Sequence, residues 1–156
     1  MSDLRSTQSV SKEMLSIADR LRQLISRWVR ITRDQAGTPT SVQVETLRIL
    51  NNEGPASIAA LAQQRAVKHQ SMRVVVEQLA IEGTIVKSAD PTDRRNQIVS
   101  ITGKGRSLLR QERRARALWI AQLLQQSCTS DEVAQVIAAM DTLERILAKA
   151  PKNSSS

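Results

Sequence analysis

The run over residues 67–105, VKHQSMRVVVEQLAIEGTIVKSADPTDRRNQIVSITGKG, limits what this chain can fold into more than any other stretch. Met72, Val75, Val76 and Leu79 recur at i, i+3, i+4 and i+7, which places an apolar stripe along one side of a helix. His69, Gln70, Arg73 and Glu77 fall mainly on the other side. Gly83 follows, where a helix stop calls for a residue of positive φ. Residues 85–89 and 97–101 are short runs rich in β-branched side chains. They are joined by Asp90-Pro91-Thr92-Asp93-Arg94-Arg95-Asn96, a connection too long for a two-residue turn. A helix with a polar outer face, a stop and a hairpin tipped with arginines predicts a winged helix-turn-helix.

The flanking segments are read as helices. Residues 11–35 carry Met14, Ile17, Leu21, Leu24, Ile25, Trp28 and Ile31 at helical spacing, and Gly37-Thr38-Pro39 ends that helix. Thr40 and Gln43 form a capping-box pattern before a helix to about residue 52 that buries Val44, Leu47 and Leu50. After the turn Glu53-Gly54-Pro55, Ser57 caps a short helix that turns Ile58, Leu61 and Ala62 inward. A brief link, Arg65-Ala66-Val67, then leads to the helix that starts near Lys68, which is helix-turn-helix spacing. Beyond the hairpin, Thr102 caps a long helix to about residue 126, basic in its first half and apolar in its second. Thr129-Ser130-Asp131-Glu132 opens a last helix to about residue 149, with Val133, Val136, Ile137, Met140, Leu143 and Leu147 expected inward.

Composition narrows the class. Phe and Tyr are absent, so the core is built from Leu, Ile, Val, Ala and Met, which favours helices over a β-sandwich. No apolar run approaches the ~20 residues that a spanning helix needs. The polar N-terminus lacks a secretory signal and the single Cys128 has no intrachain mate, so a cytoplasmic protein is expected. Residues 57–116 hold twelve Lys/Arg against five Asp/Glu, which is seven of the eight net positive charges of the chain. A cationic excess concentrated on the helix–hairpin segment and the helix after it points to a polyanion, double-stranded DNA above all. With one His, one Cys and no Tyr, and no metal-ligand spacing, neither an enzyme nor a cofactor is expected. Thr102-Gly103-Lys104-Gly105 is no phosphate loop, because Ile98 stands where the earlier Gly is required.

Asp90-Pro91-Thr92-Asp93-Arg94-Arg95, followed by Val99-Ser100-Ile101-Thr102-Gly103-Lys104-Gly105, resembles the wing and next helix start of the MarR family of bacterial transcriptional regulators. The family pattern there is a D-x-x-D-R-R loop, an apolar strand and an L-T-x-x-G helix start, with Ile101 here in place of the Leu. The resemblance implies a mainly α (α+β) fold, with one domain over residues 11–147. Its DNA-binding core spans 40–105, and its N- and C-terminal helices, 11–35 and 118–149, interlock two subunits into a homodimer. It implies a repressor on an inverted-repeat operator, released by a small phenolic or carboxylate effector held between the dimer helices and the winged domain. Trp28 and Trp119 lie on the two helices that would frame that effector.

The residues assigned to DNA follow from position. Lys68, His69, Gln70, Ser71, Arg73 and Val74 sit on the first, outward turns of the recognition helix, where side chains reach base edges. Gln bonds adenine, Arg bonds guanine, and Val74 touches a thymine methyl. Arg94 and Arg95 suit a narrow minor groove, with Asp93 to orient one of them. Lys104 is assigned to a phosphate. Lys68 stands where the family usually places a capping Ser or Thr. Two rival functions remain open at this level: a winged-helix protein-interaction module, and a non-specific architectural DNA binder.

Overall fold

A computed structural model describes residues 10–38, 41–90 and 97–150. The elements in order are α1 (Lys12–Gln35), α2 (Val42–Glu53), β1 (Ala56–Ser57), α3 (Ile58–Gln64), α4 (His69–Ile81), β2 (Ile85–Ala89), β3 (Gln97–Ile101), α5 (Gly103–Ser127) and α6 (Ser130–Leu147). The strands form one antiparallel sheet in the order β1-β3-β2. In its register Lys87 faces Val99, Ile85 faces Ile101, and Ala56 also faces Val99. This is the expected mainly helical winged helix-turn-helix. Strand β1 is the addition, since two residues are too few to show an alternating pattern. Among the described residues no helix is long and apolar enough to cross a membrane.

Each start and stop has a local cause. Ser11, Ser41 and Ser57 accept backbone N–H groups of Met14, Val44 and Ala60, which caps α1, α2 and α3. For α2 the cap is Ser41, one residue past the expected Thr40, which lies outside the described residues. Helices α1, α3 and α4 end in the same way, with two N–H groups folding back onto carbonyls of the last turn. These are Gly37 to Asp34 and Thr38 to Arg33, Ala66 to Gln63 and Val67 to Ala62, and Gly83 to Ala80 and Thr84 to Leu79. The closure demands positive φ at the first residue of each pair. Gly37 (64°) and Gly83 (70°) adopt it freely, whereas Ala66 is held at 50° with a Cβ to accommodate.

The chain divides within α5 into two units, Met1–Arg116 and Ala117–Ser156. The first has a closed core of Leu47, Leu50, Leu61, Ala62, Met72, Val76, Leu79, Ile85 and Val99. Ile49, Ile58, Val67, Val75, Ile101 and Leu109 pack around it. Contributions from α2, α3, α4, the sheet and the start of α5 make the helix-turn-helix and the wing root one packed body. By contrast, α1 leaves Met14, Ile17, Leu24, Ile25 and Trp28 exposed. In the second unit α6 has no buried residue: Val133, Val136 and Leu143 are half-buried, and Ile137, Met140 and Leu147 are exposed. The stripe expected to face inward is therefore uncovered in the single chain. The capping box at Thr129 forms as expected, with the Thr129 hydroxyl taking the Glu132 N–H and the Glu132 carboxylate taking the Thr129 N–H at 2.8 Å.

Candidate nucleic-acid interface

The helix-turn-helix presents the outer side of α4 because its other side is consumed by the core. Met72, Val76 and Leu79 are fully buried, so Arg73, Val74, Glu77 and Gln78 between them face solvent. Lys68, His69, Gln70, Ser71, Arg73 and Val74 are all exposed. Among the described residues no hydrogen bond or ion pair engages any of these side chains. Their polar groups are thus unengaged among the described residues of the single chain. Lys68 is the N-cap of α4 and supplies no side-chain cap, so the first N–H groups of the helix also remain open. The positive end of the helix dipole adds to the cationic character of this end.

The wing root is tied to α4 by a short series of hydrogen bonds. Thr84 is buried, and its hydroxyl donates to Leu79 O at 3.0 Å. Thr84 O accepts the Thr102 N–H at 3.0 Å, and the Thr102 hydroxyl donates to Gly83 O at 2.8 Å. That same hydroxyl oxygen accepts the Gly105 N–H at 3.2 Å, which caps α5. The backbones approach so closely here that a Cβ on Gly105 would lie 2.3 Å from Thr84 O and 2.7 Å from Ile101 Cγ1. The sequence feature I-T-x-x-G thus has a structural cause: Thr joins two elements and caps a third, and only Gly fits beneath. The junction fixes the direction in which β2 and β3 leave α4.

Charged contacts add to this frame. Lys87 on β2 meets Glu77 on α4, Nζ to Oε1, at 2.6 Å. Lys104 donates to Glu82 O at 2.7 Å, so this lysine closes the last turn of α4 while its residue stays exposed. The basic half of α5 is less uniform than its composition suggests. Arg116 meets Glu112 at 3.4 Å and Thr38 at 3.2 Å, and Arg48 of α2 bridges Glu45 and Glu112. Arg106 donates to Ile101 O at 3.1 Å. Arg110, Arg113 and Arg114 are exposed.

Asp93, Arg94 and Arg95, assigned above to the wing, lie outside the described residues. Strand β2 ends at Ala89 and β3 begins at Gln97, and these two residues pair with each other. Trp28 is 40% exposed on α1, and Trp119 is half-buried on α5 in the second unit. Sequence reasoning missed the pairing of Lys87 with Glu77 and the role of Thr84. A lysine in the inward register of a strand was the available signal for the first; the second had none.

A three-helix turn unit backed by an antiparallel wing, with the open helix face beside it, defines the winged helix-turn-helix class. Comparison with known proteins agrees. Residues 40–96 match the model of the MarR family. The chain is 40% identical over 91 residues to the HTH-type transcriptional repressor NicR of Pseudomonas putida, a match that covers 57% of this chain and 58% of that protein. It is 30% identical over 127 residues to an HTH-type transcriptional regulator of Mycobacterium leprae, covering 81% of this chain and 87% of the relative. In fold it is similar to the crystal structure of a transcriptional regulator from Thermotoga maritima, with a TM-score of 0.72, 20% identity, and coverage of 86% and 96% of the two chains. This chain belongs to the MarR family of DNA-binding transcriptional regulators.

Proposed function

We propose that the protein is a sequence-specific repressor that binds an inverted-repeat operator as a homodimer and is released by a small-molecule effector. The observation that carries the reading is the outer side of α4, where exposed Lys68, Gln70 and Arg73 stand uncommitted beside a rigid wing root. Phosphate contacts from Lys and Arg supply affinity, and base contacts from Gln70, Arg73 and Val74 supply specificity. One of Arg94 and Arg95 enters the minor groove, and the other is the partner that Asp93 helps to hold in place. Lys104 adds a phosphate contact from its place at the end of α4. The uncovered apolar stripes of α1 and α6 supply the dimer interface, since faces of this size are seldom left in water. The effector is a small phenolic or carboxylate compound. The place of action is the cytoplasm, where the DNA is.

The test is selection of duplexes from a random-sequence pool, followed by affinity measurement at several salt concentrations. A recurrent inverted repeat is expected, bound at least about 10³-fold more tightly than random duplex. Log affinity is expected to fall linearly with log salt, by about 0.9 per phosphate contact. Equal affinity for all duplexes would identify an architectural binder. No affinity for DNA would leave the protein-interaction module.

A further inference from the structure

We propose that Lys87 on β2 keeps the outer side of α4 cationic by drawing Glu77 away from Arg73, and so acts as a positioning residue for DNA contact. The proposal rests on the reading of α4 as the DNA-contacting helix.

Glu77 follows Arg73 by one helical turn, and both are exposed. Opposite charges at i and i+4 on a helix surface are neighbours and attract each other. Such a pair would occupy the guanidinium donors and cancel its charge where a guanine edge or a phosphate has to be met. In the structure the pair does not form. Glu77 Oε1 instead accepts from Lys87 Nζ at 2.6 Å, and Arg73 is in no ion pair among the described residues.

The strand register explains why Lys87 reaches this position. Lys87 lies opposite Val99, which is fully buried, and two residues beyond Ile85, which is also buried. It therefore points from the inner face of the sheet towards α4, just past the edge of the core. Its side chain is 24% exposed, against 57% for Glu77. The lysine stem is largely packed against its surroundings, and the glutamate is the more exposed of the two. Without the ammonium, Glu77 returns to its helical neighbour. The other acid of this helix, Glu82, is its C-cap, nine residues beyond Arg73, and accepts from Gln78 at 3.1 Å. A free carboxylate at Glu77 would compete with the DNA for Arg73.

The experiment uses the full chain and the duplex that it selects from a random pool. Lys87→Met keeps the stem and removes the charge. It is expected to weaken binding about two- to fivefold, the range of one exposed charge pair, and less at high salt. Adding Glu77→Gln to Lys87→Met should restore the parent affinity. In an Arg73→Ala background, Lys87→Met should have little further effect. Should Lys87→Met fail to fold, Glu77→Gln alone decides: it should bind at least as tightly as the parent, and weaker binding overturns the proposal. Parent-like binding by Lys87→Met overturns it. A double variant as weak as Lys87→Met also overturns it, and assigns Lys87 a phosphate of its own. If Arg73→Ala binds like the parent, or no duplex is selected, the reading of α4 fails and takes the proposal with it.

Discussion

Helices α4 and α6 carry the same kind of pattern and meet different fates. Both repeat apolar residues every three to four positions. In α4 the stripe of Met72, Val76 and Leu79 is fully buried by α2, α3 and the sheet. In α6 the stripe of Val133, Val136, Ile137, Met140 and Leu143 is nowhere buried, and Ile137 and Met140 are each 50% exposed. Periodicity tells that a face is apolar, and is silent on what covers it. A stripe closed within the chain belongs to the fold; a stripe left open calls for something outside the chain. The proposed second copy answers that need in the way the fold of α4 answers its own.

The contrast is broken most strongly by paired truncations. Leu79→Ala is expected to cost about 2–5 kcal/mol, because it opens a cavity in a closed core. Urea denaturation should give the same loss at every protein concentration. Ile137→Asp should instead act through assembly, raising the dimer dissociation constant at least about tenfold. Light scattering should then move from about twice the 17.3 kDa chain mass towards that mass itself on dilution. A dimer indifferent to Ile137→Asp would detach α6 from the interface.

A second, smaller effect sharpens the view of the winged core as a closed body. Gly105→Ala pushes a Cβ into Thr84 O, and is expected to cost about 1–3 kcal/mol by denaturation. Gly103→Ala, two residues away with nothing within 4 Å of its Cβ, should be close to neutral. Equal effects at the two glycines would show that the junction yields readily.

The smallest effect lies at the start of α6, where stability is local. Thr129→Ala should cost about 1 kcal/mol of helix stability by loss of the cap. The Thr129 backbone N–H, and then its hydroxyl, hold the Glu132 carboxyl below its ordinary value of 4.5. Because the folded value is depressed, the charged cap stabilises above about pH 4.5 and its contribution fades as pH falls through the lower folded value. Hydrogen exchange of the first turn of α6 should therefore quicken in acid, and Glu132→Gln should remove that dependence.

Much of this architecture was legible in the residues themselves. The limits of β2 and β3, the stops at Gly37 and Gly83 and the caps at Ser57, Thr102 and Thr129 all rest on local chemistry, in which a few adjacent residues decide the backbone. The D-x-x-D-R-R and I-T-x-x-G elements marked the class for the same reason. Other features were settled only in three dimensions. Ala66 takes a left-handed conformation because α3 and α4 close the turn around it, and no glycine announced it. Strand β1 exists because β3 offers it a neighbour. Lys104, read as a free phosphate ligand, also closes α4 through Glu82 O. Lys87 meets Glu77 across ten residues of sequence, and Arg116 meets Thr38 across seventy-eight. Local patterns set where the chain turns and which faces are apolar, because those depend on spacing along the chain. Which charges remain free for a ligand depends on what packing brings within about 3 Å, and only the tertiary structure decides that.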